Sequence, residues 1–261
     1  MTEHTLFAEE RREYILQLLD KNSRVLVSDL TKQLGVSPTT LRYDLRVLEE
    51  KGLLRRTHGG AVSLDSSIGE APADTARGID ASAKEEIAKR AVEFVHSGDV
   101  IFCDSGSTTT EFVRQITGIS KLTIITNDLT IASLAESRHP DWSIITLGGV
   151  LRSGFHYSTG AMTITQAESF NANTAFLATS AFSFKKGFST HSTDIAEYKR
   201  KLIENSERTI MLMDASKIDK VAMVSFAHLD DITTLVTDSS IEDSDRERFL
   251  SSDDAPNLVI A

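Results

Sequence analysis

Residues 99–112 read DVIFCDSGSTTTEF. The apolar run VIFC passes straight into Asp104-Ser105-Gly106-Ser107-Thr108-Thr109, and a segment of helical periodicity follows. A strand that ends in a glycine-containing polar turn and opens a helix is the unit from which α/β folds are built. It is also an anion site in the making, because the first turn of a helix carries N–H groups without intrahelical partners. Gly106 permits the tight turn, Ser107 or Thr108 can start the helix, and hydroxyls of Ser105, Ser107, Thr108 and Thr109 can add donors.

The same alternation repeats down the chain. Further β-rich runs are LTIITN (122–127), WSIITLGG (142–149), TAFLATS (174–180), RTIMLMD (208–214) and TTLVTD (233–238). Helical periodicity marks 82–96, 107–116, 128–137 and 194–206. Continuous apolar strands alternating with helices predict an α/β domain with a mainly parallel sheet covered on both faces. Ligands of such sheets sit outside the carboxyl ends of the strands. The polar clusters fall there: Asp104–Thr109, then Asn127-Asp128, then Gly148-Gly149, and Lys217 closing MLMDASK. Together they predict an effector-binding site, with Gly148-Gly149 leaving room beside the backbone and Lys217 adding a charge. Neither GxxxxGK[ST] nor GxGxxG occurs, so no nucleotide or dinucleotide cofactor is expected.

Upstream lies a different kind of sequence. Leu16, Leu19, Leu30 and Leu34 give residues 8–34 an apolar core, Ser28 is positioned to cap a second helix, and Gly35 ends it. Ser37 can cap the next helix and Pro38 suits its first position. Leu41, Leu45 and Leu48 share one face, while Thr39, Tyr43 and Arg46 lie opposite, with Thr40 near the start and Arg42 on the flank. Hydroxyls and guanidiniums in that place suit base edges. After Gly52, LLRRTHGGAV (53–62) reads as a short basic wing whose Arg55 and Arg56 can take phosphates or the minor groove and whose His58 supports the turn. A small winged helix–turn–helix (1–62), a Gly/Pro/Ser-containing linker (63–80) and a larger α/β effector domain (81–261) are therefore expected. Double-stranded DNA is the expected partner of the first.

Composition agrees with these classes. The net charge is −10, but residues 1–62 hold 10 Lys/Arg against 9 Asp/Glu, so the deficit lies in the remainder. A faintly basic head on an acidic body fits local phosphate contacts. No run approaches the ~18 apolar residues of a membrane span, and MTEHTLFAEERREY lacks the apolar region of a secretory signal. Cys103 is the only cysteine, so no intrachain disulfide can form, and the cytoplasm is the expected location. The seven histidines show no HExxH spacing and no CxxC is present, so no metal is expected.

The head segment SDLTKQLGVSPTTLRYDLRVLEEKGLLRRTHGGAV closely resembles the N-terminal signature of DeoR-family transcription regulators. That family usually carries two arginines before the Asp-Leu of the recognition helix; here Arg42 is followed by Tyr43. The pieces DSGSTTTEF, TIITNDLTIA, ITLGGVLRSG, Gly187 to Lys201, MLMDASK and VTDSS resemble the family's effector domain. The resemblance implies a domain related to ribose-5-phosphate isomerase that senses phosphorylated sugars or related metabolites. It implies that the SGST turn holds a phosphate, and that Lys199 or Arg200 lies near the pocket with Lys217.

Two functions are then in competition. An isomerase needs carboxylates to move a proton between carbons. The stretch matching its acidic strand end is LATSAFS (177–183), which has none, and an ungapped comparison puts Lys199 where its glutamate would stand, two residues from Glu197. A ligand-released repressor of a carbohydrate operon is thus favoured over a phosphosugar isomerase with a DNA-binding head, and an activator would use the same residues. Operator recognition predicts a symmetric homodimer or homotetramer. Arg152–Tyr157 reads equally as a lid or as a solvated loop or subunit contact.

Overall fold

The computed structural model describes residues 7–22, 24–51, 53–57, 59–63, 73, 76, 80–252 and 255–261. The chain divides into two compact units, Met1–Thr75 and Ala76–Ala261.

The first unit holds α1 (Ala8–Asn22), β1 (Arg24–Leu26), α2 (Val27–Leu34), α3 (Pro38–Glu50), β2 (Leu54–Thr57) and β3 (Gly60–Ser63). Leu41, Leu45 and Leu48 are buried with Ile15, Leu19, Leu30, Val25, Val27, Leu54 and Ala61; Leu16 and Leu34 only pack against this core. Ser37 caps α3 as expected, accepting from the Thr40 N–H at 3.2 Å, and Gly35 ends α2 in the left-handed region at φ 64°. Two features depart from expectation. Ser28 lies inside α2, whose N-cap is Leu26. The wing is three-stranded in the order β1-β3-β2, because Arg24–Leu26 pairs antiparallel with Gly60–Val62. A Cβ on Gly60 would lie 1.8 Å from the Val25 carbonyl oxygen, so the absence of a side chain there is what lets β1 join.

The second unit holds α4 (Ala81–Ala91), β4 (Val100–Cys103), α5 (Ser107–Gln115), β5 (Thr123–Thr126), α6 (Leu129–Arg138), β6 (Ser143–Thr146), β7 (Val150–Arg152), β8 (Tyr157–Thr159), α7 (Ala161–Ala167), β9 (Ala172–Ala178), β10 (Ala181–Ser183), β11 (Gly187–Thr190), α8 (Thr193–Glu204), β12 (Ser206–Leu212), β13 (Val224–Ala227), β14 (Thr234–Thr237), α9 (Asp243–Leu250) and β15 (Asn257–Ile260). Seven strands form one sheet in the order β15-β14-β12-β9-β4-β5-β6, and every neighbouring pair is parallel. Strand alternation divides the core between the two faces. Ile101, Cys103 and Phe176 pack with Ile87, Phe112 and Ile131 of α4, α5 and α6, whereas Phe102 and Leu177 face the side of Tyr198 and Leu202 of α8. Phe112 and Phe176 stack at 4.2 Å. Cys103 is a buried free thiol whose ionisation burial opposes, consistent with a packing role.

The order of connection creates a crevice. From β4 the chain runs to β5 and β6, then returns to β9 on the other flank of β4 and continues outward through β12, β14 and β15. The β4/β9 boundary is therefore the topological switch point, where open α/β sheets bind ligands. A second, antiparallel sheet, β10-β11-β13, and the β7–β8 hairpin complete the unit. Neither these nor β15, α7 and α9 were anticipated from the sequence pattern.

Candidate DNA-binding and effector sites

On the head, Thr39, Arg42, Tyr43 and Arg46 are exposed along one side of α3, opposite the buried leucines. Ser37 and Thr40 are engaged with each other, their hydroxyl oxygens 2.9 Å apart. Asp44 on the inner side is fully buried and accepts from Arg11 Nε at 2.6 Å and Arg12 Nε at 2.9 Å, which locks α1 to α3. Arg56 is anchored to α3: its backbone N–H donates to Glu49 Oε1 at 2.8 Å and its guanidinium lies 3.8 Å from Glu49 Oε2. Arg55 pairs with Val62 in the wing through its backbone. His58 lies outside the described residues.

On the body, the loop after β4 is built around Gly106, whose φ of 151° and ψ of 164° suit a residue without Cβ. The first intrahelical bond of α5 runs from Thr110 N–H to Gly106 O at 2.9 Å. The N–H groups of Ser107, Thr108 and Thr109 therefore precede it and are the donors a helix N-terminus offers to an anion. The hydroxyls divide differently from expectation. Those of Thr109 and Thr110 both donate to Gly106 O, at 3.0 and 2.7 Å, while Ser105 and Ser107 are half-buried at the surface of the loop and Thr108 is buried.

Beneath the loop lies a buried polar cluster. Asp104 accepts from Lys199 Nζ and, at 3.1 Å, from the Ala178 N–H; Lys199 also donates to Ala178 O at 2.9 Å. One lysine from α8 thus joins β4 to β9 across the switch point. Burial pushes the Asp104 carboxyl up from its ordinary value, against the pull of the Lys199 ammonium. Asp128 caps α6, accepting from the Thr130 N–H at 2.7 Å and the Ile131 N–H at 3.1 Å. Burial raises its carboxyl too. Asn127 donates through Nδ2 to Ser158 O at 2.8 Å, which stitches the β7–β8 hairpin to the end of β5. Three buried polar atoms of this cluster make no hydrogen bond of normal geometry: Asp104 Oδ1, Asn127 Oδ1 and the Tyr198 hydroxyl.

Other expected positions stand elsewhere. Of the pair Lys199 and Arg200, only Lys199 reaches the crevice; Arg200 bonds Glu197 at 3.0 Å and the Ser225 carbonyl. The room at Gly148-Gly149 is taken by the chain itself: Thr163 Oγ1 donates to Gly148 O at 2.8 Å, and a Cβ on Gly149 would lie 2.2 Å from Thr163 Oγ1. Lys217 is held at the end of β12 by Asp214 at 3.2 Å and Ser216 at 3.1 Å. Lys84 of α4 joins that group, and burial pushes its ammonium down against the opposing pull of Asp214. Sequence reasoning passed over Lys84, although it falls on the helical stripe of Ile87, Ala88 and Ala91, where a lysine is out of place. Arg152 stacks on Phe155 at 3.9 Å and bonds Tyr157, so the hairpin tip packs on itself. A surface groove of about 740 Å³ separates that hairpin from the outer face of α6, and no residue of the 104–109 loop lines it.

Two known families match this chain. The DeoR-like helix-turn-helix domain matches residues 11–67, and the DeoR C terminal sensor domain matches residues 79–239. The chain belongs to the DeoR family of transcriptional regulators. It is 33% identical over 247 residues to the HTH-type transcriptional regulator GlpR of Haloferax volcanii, covering 93% of this chain and 94% of that one. It is 30% identical to the glycerol-3-phosphate regulon repressor of Escherichia coli, covering 88% of this chain and 90% of that one. The solved ribose 5-phosphate isomerase of Methanocaldococcus jannaschii is 18% identical over 53% of this chain and 55% of that one, with a TM-score of 0.37. As a DeoR-family member, this protein is a DNA-binding regulator of transcription with a sensor domain, not an enzyme. No described helix is long and apolar enough to cross a membrane.

Proposed function

We propose that this DeoR-family regulator is a cytoplasmic repressor of a carbohydrate-utilisation operon that grips operator DNA as a symmetric homodimer or homotetramer and lets go when a phosphorylated sugar binds its body. The observation that carries this reading is the free first turn of α5 at the β4/β9 switch point, in a chain that also exposes a helix–turn–helix face. The loop donors Ser105–Thr109 receive the phosphate, and Asp104, Asn127, Asp128 and Lys199 shape the floor on which the sugar rests. The N-terminal dipole contributes ~0.3–1 kcal/mol, rising to ~2 kcal/mol when partly buried. Lys84 and Lys217, at the end of β12, supply the cationic side of the same strand-end surface. A dianion needs such cations, because Asp104 and Asp128 lie under the loop.

An isomerase reading finds no support in the carboxylates. Glu197 is turned to Arg200, and the LATSAFS stretch offers Thr179, whose hydroxyl donates to Ala181 O at 2.9 Å, in place of an acid. The test is binding of the purified protein to the DNA upstream of its own gene, titrated with a panel of sugar phosphates. Specific retardation that one sugar phosphate reverses is expected. Absence of specific binding, or binding that every sugar phosphate leaves unchanged, overturns the reading. Tighter binding on addition makes the protein an activator instead.

A further inference from the structure

Arginines 11 and 12 share one buried carboxylate and end in different surroundings. The Arg11 side chain is 9% exposed and belongs to the interior. Arg12, at 19%, uses Nε for Asp44, and its Cζ lies 6.0 Å from the ring centroid of Tyr43. Tyr43 is 52% exposed on the outer side of α3, and Arg46 Cζ lies 5.2 Å from the same ring. One tyrosine is thus flanked by two guanidiniums that come from two different helices.

Cations gather around this ring. Asp44 is shared by Arg11 and Arg12, so that trio carries a net positive charge. Glu50 lies 4.0 Å from Arg46 between two well-exposed side chains, a spacing that contributes little in water. Arg42 adds another exposed cation on the flank. A ring face attracts cations within ~6 Å of its centroid and can gather what Coulomb repulsion would spread. Asp44 and Tyr43 between them also restrain Arg12, removing part of the side-chain entropy that an arginine otherwise loses on binding. Arg12 bonds Asp44 through Nε, and a guanidinium's further N–H groups suit a planar or tetrahedral oxyanion; on the DNA-facing head that oxyanion is a phosphodiester.

We propose that Arg12 is a DNA-backbone contact supplied by α1 rather than by α2 or α3, and that Tyr43 is the platform holding Arg12 and Arg46 against adjacent phosphates. In this chain the ring stands where the family usually has a second arginine, and it recruits its cation from α1. The inference rests on the DNA-binding reading of the head.

The full-length protein is titrated onto a short random-sequence duplex, followed by fluorescence anisotropy across a series of KCl concentrations. Random sequence removes base reading, so phosphate contacts alone set the slope of log K against log[KCl]. Arg12→Gln is expected to weaken binding and to reduce that slope by about 0.9 for each head engaged. A folded Arg12→Gln protein with the wild-type slope overturns the proposal. Because Arg12→Gln leaves Asp44 half-paired, the exposed Tyr43 is tested independently. Tyr43→Leu is expected to lower affinity for the random duplex several-fold, and Tyr43→Phe to retain wild-type affinity. Equal losses in both variants, or no loss in Tyr43→Leu, also overturn it. Failure of the wild-type protein to bind any duplex strikes the DNA-binding reading itself, which is a separate outcome.

Discussion

Each unit buries one aspartate completely and answers it with a cation, but the two arrangements face opposite ways. In the head, Asp44 takes two arginines, and the rest of the cationic charge stays outside on α3. In the body, Asp104 takes a lysine that is itself buried, so the pair is closed off inside. The first is a strut behind an open surface. The second is an internal clasp between β4 and β9. A surface that must meet a polyanion keeps its charge in water, whereas a pair closed off inside a domain interacts through a low-dielectric interior.

The difference can be broken most forcefully at the clasp. Lys199→Met leaves Asp104 without its counter-charge and is expected to destabilise the body by ~3–5 kcal/mol in urea unfolding at neutral pH. The sign of its pH dependence follows from Asp104. A carboxyl whose folded value is raised gives stability that is present at acid pH and lost as the pH rises through that value. The Lys199→Met deficit should therefore shrink on acidification; a deficit that grows would mean the clasp is misassigned.

Gly60→Ala comes next. Its new Cβ meets backbone rather than a movable side chain, so a loss of ~1–3 kcal/mol or more is expected, confined to the head. Hydrogen exchange should show β1 and β3 opening while the β4–β9 ladder stays protected. Asp128→Ala removes the cap of α6 and is expected to cost ~1–2 kcal/mol. Because Asp128 belongs to the proposed effector site, the effect of this substitution on the response to a sugar phosphate should exceed that of Ser37→Ala, which removes the cap of α3 in the head. Arg42→Ala sharpens the comparison from the other side: thermal stability unchanged within ~0.5 kcal/mol, operator affinity reduced by ~1–3 kcal/mol.

The two units were also unequally legible in the sequence. The face of α3 could be read from periodicity alone, because Leu41, Leu45 and Leu48 fix which side is buried and Thr39, Tyr43 and Arg46 follow. The six strands anticipated from apolar runs all occur in the parallel sheet, since strands covered on both faces advertise themselves by continuous hydrophobicity. The strand at 257–260 did not, because LVI is short and abuts the end of the chain. The β10, β11 and β13 strands of the antiparallel sheet were masked by their three- and four-residue length. β1 was hidden by Arg24 and by its adjacency to α2, although Gly60 opposite was the sign of a close backbone approach.

The crevice was legible only in part. Strand-end position pointed to Asp104, Asn127 and Asp128, but which strand ends are neighbours depends on the order of the sheet, and that order is non-local. Gly148-Gly149 follows the edge strand β6, with β5 between it and β4, and its missing side chains accommodate α7. Lys199 could be placed by family resemblance but not by its helix, where Tyr198 and Lys199 are both inward-facing and the neighbouring Arg200 is directed elsewhere. Lys84 shows the converse: its helical stripe marks it, and only the fold shows that its ammonium donates to the Ala76 carbonyl at 2.7 Å and feels the charge of Asp214.

Asp128 carries a mechanical consequence. Its carboxylate accepts from Thr130 and Ile131 at once, and the residue before it is tied to the hairpin through Ser158. The end of β5, the start of α6 and the β7–β8 hairpin therefore meet at two adjacent side chains, those of Asn127 and Asp128. A displacement of the hairpin is thereby passed, through one pair of neighbouring residues, both to a strand of the sheet and to the first turn of a helix.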